Sequence, residues 1–194
     1  MTLMQELLTI LDEAEFLFGP RDPTYELLEP QIYERPFAQA FFYEKRKIRI
    51  YLTNHCRDDA YAVTYELAHE AVHLLSPVRY GEATILEEGL ATFFAGRYAY
   101  RVYGVERESS HPKYQAAMRA VAPLLAKNVL VIKELRTRQP VISKIDERLL
   151  VEVAGVEPQQ ARLLCSDFET GRSKTRIEQA DISAQRVIKW LLSI

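Results

Sequence analysis

Two histidines and one glutamate are spaced so that they can bind and use a single metal ion. His69, Glu70 and His73 form an H-E-x-x-H pattern, and the apolar residues around them predict a helix over residues 60–75. Positions four apart lie on one helical face, with Cβ atoms about 5–6 Å apart, so both imidazoles can direct a nitrogen to one ion. Zinc accepts this arrangement, and the Glu70 side chain can take a proton from a metal-bound water as general base.

The apolar surroundings favour a metal site over an accidental pairing of histidines. The residues that flank the pattern are Leu67, Ala68, Val72, Leu74 and Leu75. Two unpaired histidines and a glutamate in such a buried helix cost several kcal/mol unless a ligand binds them.

A second predicted helix carries two adjacent carboxylates in an apolar segment. Glu87 and Glu88 lie near its start, and a zinc site needs a third protein ligand besides the two histidines. A solvated first helical turn is the alternative interpretation of this acidic pair.

With this second helix the sequence resembles the gluzincins, a group of zinc metallopeptidases typified by thermolysin. In gluzincins a following helix supplies a glutamate as third ligand, commonly in an Asn-Glu-Gly or Asn-Glu-Ala context. Glu88-Gly89 matches that context, with Glu87 in place of the asparagine, and the resemblance covers residues 60–100. It implies a zinc cofactor held by His69, His73 and Glu88, a peptide or protein substrate, and Glu70 as the base that passes a proton to the leaving amine.

Helix packing favours Glu88 as the ligand independently of this resemblance. The helical face of Glu88 continues through small residues: Ala91, Thr92, Ala95 and Ala99. The face of Glu87 includes larger ones: Leu90, Phe94 and Tyr98. Small residues let two helices approach closely, and adjacent residues diverge by about 100°, so we expect only Glu88 to face the histidines.

The resemblance also implies two further parts of the site. Gluzincins use a tyrosine or histidine to stabilise the oxyanion, and spacing does not choose among Tyr80, Tyr98, Tyr100, Tyr103 and His111. In similar zinc peptidases an edge strand beside the active-site helix pairs with the substrate backbone. The β-hairpin predicted over residues 37–52 can supply that strand, and a purely structural hairpin is the alternative.

Periodicity and turn residues predict the elements that position these groups. Helices are expected over residues 3–18, 60–75, 82–103, 112–138, 142–156 and 158–168, with a last one from Asp181 or Ser183 through Trp190. Pro123 is expected to kink the fourth of them. The sequence thus predicts one mostly helical α+β domain of zincin-like fold over residues 1–194, with a small N-terminal sheet. Residues 1–140 form its catalytic core and residues 141–194 a C-terminal helical extension.

Composition excludes several other classes of protein. The 194 residues are 48% hydrophobic and 27% charged, which suits a globular core and not a disordered chain. The net charge of −2 predicts no nucleic-acid partner, and the lack of a long apolar run or signal peptide predicts a cytoplasmic protein without a membrane span. The alternative function is a catalytically silent metal-binding regulatory module whose C-terminal helices bind a protein partner. The presence of Glu70 favours the enzyme, because a structural zinc site needs no general base.

Overall fold

A computed structural model describes residues 1–43, 46–107 and 111–169 of the chain. The elements are α1 (Leu3–Phe18), β1 (Glu26–Ile32), β2 (Gln39–Tyr43), β3 (Lys47–Leu52), α2 (Ala60–Leu75), α3 (Ile85–Tyr103), α4 (Pro112–Lys127), α5 (Val131–Arg138), α6 (Glu147–Ala154) and α7 (Pro158–Leu164). The fold is mostly helical with a small sheet, as the α+β prediction states. The helix predicted from Asp181 or Ser183 lies outside the described residues.

The sheet has the strand order β1-β3-β2. β2 and β3 are antiparallel, which confirms the predicted hairpin, and Ile48, Ile50 and Leu52 face the core with at most 1% exposure. β1 is parallel to β3 and was not expected, because Pro30 interrupts a segment without apolar alternation. Its position at an edge, with a register shift between Leu28 and Gln31, tolerates this proline.

Two capped helices form the centre of the molecule. The predicted bounds of α2 are confirmed, and the Asp59 carboxylate accepts the backbone N–H groups of Tyr61 and Ala62 at its start. α3 begins at Ile85, after its cap Thr84, and not at residue 82. α2 packs between α1 and α3, and α3 packs against α4. That last contact requires Gly89, because a Cβ there would lie 2.4 Å from the Ala117 carbonyl oxygen.

The long helix predicted over residues 112–138 is wrong. The chain turns by 93° between α4 and α5, and the turn lies at Asn128, not at Pro123, which remains inside α4. The Asn128 side chain explains the turn, since its Oδ1 accepts the Leu130 N–H at 2.9 Å and its Nδ2 donates to Glu134 at 3.1 Å. Within the described ranges, no single helix is long and apolar enough to cross a membrane, and α4 with α5 meets that criterion only as a bent pair.

The helices predicted over residues 142–156 and 158–168 are shorter than expected. A 3-10 turn at Ile142–Lys144 precedes α6, whose start is fixed by the Asp146 carboxylate accepting the Leu149 N–H at 2.7 Å. α7 ends at Leu164, because the residues after it pair with the start of α3. The Ile85 N–H donates to the Ser166 carbonyl at 2.9 Å, and the Phe168 N–H donates to the Ala83 carbonyl at 3.0 Å. This pairing brings Phe168 to the end of α3 that carries Glu87 and Glu88.

Candidate metal centre

α2 and α3 together bring His69, His73 and Glu88 to one point. The two Nε2 atoms of the histidines are 3.3 Å apart. Glu88 Oε2 lies 3.3 Å from His69 Nε2 and 3.6 Å from His73 Nε2. All three side chains are largely buried, with 12–18% of each side chain exposed. They form a triangle of potential ligand atoms that closes around a single point.

Hydrogen bonds among these three side chains do not account for their arrangement. Each separation exceeds the usual 2.7–3.2 Å range of N–H···O bonds, and Glu88 Oε2 is buried without a hydrogen-bond partner among the described residues. Ligand atoms held tetrahedrally at about 2.0–2.1 Å from a zinc ion lie about 3.3–3.4 Å apart. The His₂Glu donor set, the separations and the buried unsatisfied oxygen therefore all fit a zinc ion.

Glu87 contacts one of these candidate ligands, His73, from the opposite side of its ring. Its Oε1 lies 2.8 Å from His73 Nδ1, and Glu87 is completely buried. A proton on Nδ1 that is donated to this carboxylate leaves the lone pair of Nε2 directed at Glu88 and His69. The Ser143 hydroxyl donates to the other Glu87 oxygen and accepts the Thr84 N–H at 3.2 Å.

The prediction that only one of the two carboxylates faces the histidines is wrong. Adjacent helical residues do diverge, but an imidazole has two nitrogens on different sides, and the His73 ring lies between the two carboxylates. Glu88 approaches its Nε2 while Glu87 approaches its Nδ1. Sequence reasoning considered Glu87 only as a rival ligand, and no spacing rule reveals the role of Ser143, which lies 56 residues away.

Glu70 lies beside the same cluster in a desolvated environment. It is 4% exposed, and this burial raises the pKa of its carboxyl group above the ordinary glutamate value. Electrostatic interactions with His73 and His69 oppose that rise, while the charge of Glu88 adds to it. A carboxylate whose pKa is raised is a better proton acceptor at neutral pH, which is the property a general base requires.

A cavity of about 810 Å³ opens over the cluster. Its lining includes residues 36–42, which contain the first part of β2, and the loop over residues 77–81, together with Tyr114 and Phe168. β2 is an edge strand of the sheet, so one side of its backbone has no strand partner among the described residues. β1 is the other edge strand, and its residues do not line the cavity. The structure thus answers which strand edge lies beside the site.

The tyrosines and histidine predicted as oxyanion partners occupy different places. Tyr80, 71% exposed, and His111 line the cavity. Tyr98 does not, because it is buried in the core and packs against Phe94 at 5.9 Å between ring centroids. Tyr100 and Tyr103 also lie outside the cavity lining.

Tyr114 lines the cavity and was missed. Its ring packs edge to face on His69, with 5.5 Å between centroids, and is tilted against Phe168 at 5.0 Å. Burial, followed by the charges of Glu88 and Glu70, raises the pKa of its phenol, which therefore keeps its proton as a hydrogen-bond donor. Tyr114 is near the start of α4, and nothing in its spacing relative to the H-E-x-x-H pattern marks it.

The C-terminal part of the described chain also contributes to the site. Ser143 supports Glu87, and Phe168 and Glu169 line the cavity, although residues 141–169 belong to the predicted extension.

Comparisons of the chain with protein-family models, curated proteins and solved structures find no match. The chemistry of the site therefore has to be argued from its own side chains.

Proposed function

We propose that this protein is a zinc-dependent peptidase of zincin-like fold that hydrolyses peptide bonds in peptides or proteins. The observation that carries the proposal is the convergence of His69 Nε2, His73 Nε2 and Glu88 Oε2 at 3.3–3.6 Å, with Glu70 buried beside them. This donor set is that of catalytic zinc sites with two histidines and one glutamate. The gluzincin resemblance of residues 60–100 supports the same assignment.

Each residue has a distinct role in the proposed reaction. His69, His73 and Glu88 would hold the ion, and Glu87 fixes the orientation and tautomer of His73. A zinc ion bound there would supply a Lewis acid for the scissile carbonyl and would lower the pKa of water to about 7. Glu70 accepts the proton of the attacking water and delivers it to the leaving amine.

Tyr114 is the donor that best suits the developing oxyanion. It borders the cavity, contacts His69 and is held as a neutral phenol by its surroundings. A preorganised donor of this kind stabilises charge that develops only in the transition state. Tyr80 and His111 also border the cavity, but both are exposed, whereas Tyr114 is half-buried against His69.

The edge of β2, which no other described strand covers, supports an extended peptide as the substrate. Edge strands leave alternate N–H and C=O groups unpaired, and an incoming peptide backbone can satisfy them by β-augmentation. The Ala40 backbone amide of β2 faces Glu70, so the strand and the proposed base lie side by side. A peptide paired with β2 passes directly over the proposed metal centre.

The test compares cleavage of a peptide library by the zinc-loaded protein, by the chelated protein and by Glu70→Gln. We expect cleavage only with zinc, and a loss of about 10²–10⁴-fold in rate for Glu70→Gln with zinc binding retained, because an amide cannot accept the proton. Glu82→Gln is the matched control, since Glu82 lies outside the cavity lining near Lys144. Zinc binding without any cleavage would favour the silent regulatory module instead.

A further inference from the structure

The outer face of the sheet is open and carries aromatic side chains. The β2–β3 register places Gln39, Phe41 and Tyr43 opposite Tyr51, Arg49 and Lys47. Lys47, Arg49 and Tyr51 alternate along β3 with Ile48, Ile50 and Leu52, which are buried, so they point away from the core. Their β2 partners lie on the same side of the sheet. None of the six is buried. The sheet therefore presents a second face that the described helices do not cover.

Aromatic rings and two arginines form a continuous patch on this face. Tyr51 packs edge to face on Phe41 and Tyr33, with centroids 5.4 and 5.8 Å apart. The Arg35 guanidinium lies 4.0 Å above the Phe41 ring, and that of Arg49 lies 5.6 Å from the Tyr43 ring. We call this patch the aromatic face and define it as Tyr33, Arg35, Phe41, Tyr43, Arg49 and Tyr51.

The two arginines of the aromatic face have no acidic partner in the described part of the chain. No carboxylate oxygen there lies within 4.0 Å of either guanidinium, whereas the nearby Lys47 pairs with Glu26 at 3.2 Å. Arg49 donates a long 3.4 Å bond to the neutral Gln31 and hydrogen-bonds the Tyr43 and Tyr51 hydroxyls, all of them uncharged partners, and its Nε is buried without a partner among these residues. Both arginines thus offer guanidinium donors that suit a carboxylate.

The aromatic face is continuous with the cavity over the candidate metal centre. Phe41 belongs to both, and Gln39, on the same side of the sheet, also lines the cavity. A bound peptide that lies in the cavity along β2 therefore contacts the aromatic face where it leaves the cavity. The net charge of −2 disfavours a nucleic acid as the occupant, because nucleic acids bind through broad basic surfaces.

We propose that the aromatic face is an exosite for an acidic segment of a polypeptide substrate, adjacent to the stretch that occupies the cavity. Arg35 and Arg49 pair with its aspartate or glutamate side chains, and the tyrosines provide apolar contact and hydroxyl groups. The proposal rests on the proposed peptidase function and adds to it a substrate class: unfolded segments with acidic residues near the cleaved bond.

The experiment measures peptide binding without turnover, using the full chain with Glu70→Gln loaded with zinc. The probes are fluorescent unstructured peptides of one sequence, with a block of four Glu, four Gln or four Lys at either end. At 0.15 M salt we expect the Glu peptide to bind about tenfold more tightly than the Gln peptide and the Lys peptide most weakly. Adding Arg35→Glu and Arg49→Glu should reverse the order of the Glu and Lys peptides.

Matched variants separate this site from general charge effects. Arg138→Glu with Arg148→Glu changes the net charge equally on α5 and α6 and should leave the order unchanged. Arg35→Gln with Arg49→Gln should abolish the preference without reversal, and circular dichroism checks that each variant is folded. Equal binding of the three peptides, or a preference that survives loss of both arginines, would overturn the exosite. Tighter binding of a single-stranded oligonucleotide than of the Glu peptide, through the same two arginines, would also overturn the exosite.

The two proposals fail in different ways. Zinc stoichiometry and cleavage by the wild-type chain report on the peptidase, whereas the arginine-dependent preference reports on the exosite. A zinc-free, inactive protein that still prefers the Glu peptide would remove the peptidase and keep an acidic-peptide surface. An active peptidase without the preference would remove only the exosite.

Discussion

Two buried polar clusters of this protein differ in whether all of their polar atoms have hydrogen-bond partners in the described chain. Arg136, 8% exposed, donates all five of its N–H groups to backbone carbonyls at 2.7–3.1 Å: those of Phe18, Gly19, Pro20, Leu75 and Pro140. The cluster of His69, His73 and Glu88 instead brings potential ligand atoms together and leaves Glu88 Oε2 without a hydrogen-bond partner in the described chain.

The difference separates a structural cluster from a binding cluster. The guanidinium ties the ends of α1 and α2 to α5 and needs nothing further, although burial lowers the pKa of Arg136. The histidine–glutamate cluster has no such donor for Glu88 Oε2 among the described residues. Folded proteins rarely leave buried polar atoms unsatisfied, which supports the proposal that this cluster binds a ligand.

Loss of the guanidinium should have the largest effect on stability. Arg136→Met leaves several buried carbonyls without donors, and each unsatisfied group costs about 1–3 kcal/mol, so we expect a loss of about 4 kcal/mol or more. Urea unfolding measures it, with Arg138→Met, an exposed position of the same helix, as control. Equal unfolding midpoints for the two variants would contradict the structural role.

Removing the Tyr114 hydroxyl should affect turnover but not metal binding. Tyr114→Phe keeps the ring packed on His69 and Phe168, so zinc affinity should stay unchanged while kcat falls about 10²-fold through loss of an oxyanion donor. Tyr80→Phe, at the exposed rim of the cavity, is the control. A kcat equal to that of the wild type would exclude Tyr114 from this role.

Zinc should stabilise the wild-type protein and not a ligand variant. At a free zinc concentration of about 100 times Kd, binding to the folded state adds about 2.7 kcal/mol to the free energy of unfolding. His73→Ala should fold but lose this increment, as thermal unfolding with and without zinc will show. An equal zinc-dependent shift in both proteins would place the ion elsewhere.

Glu87→Gln should give the smallest of these effects. The amide oxygen can still accept a hydrogen bond from His73 Nδ1, but it is a weaker acceptor than a carboxylate, so zinc affinity should fall about tenfold. Competition with a chromophoric chelator measures it, with Glu82→Gln as the control. An unchanged affinity would show that Glu87 only fills space beside Ser143.

The parts of the fold and site that depend on local spacing could be predicted from the sequence. The bounds of α2, the hairpin and the shared face of His69 and His73 all follow from residues within a few positions of one another. Glu88 follows from the small residues on its own helical face. In each case the information lies inside a single element.

The parts that depend on contacts between distant segments could not be predicted. β1 pairs with β3, which lies some 20 residues further along the chain, and Pro30 makes the sequence of β1 untypical of a strand. Ser143 and Phe168 reach the site only because the chain returns after α5 and α7. Tyr114 joins it because α4 packs tightly against Gly89 of α3. The secondary-structure propensities of residues within one segment do not show which distant segments will pack against it.

The most direct test of the metal centre is the zinc-edge anomalous difference map of crystals grown or soaked with zinc. We expect one strong peak about 2.0–2.2 Å from His69 Nε2, His73 Nε2 and Glu88 Oε2, with the Glu70 carboxylate nearby but outside the ligand set. A zinc-soaked crystal in which these three side chains point apart, or in which the peak lies at other residues, would contradict the account.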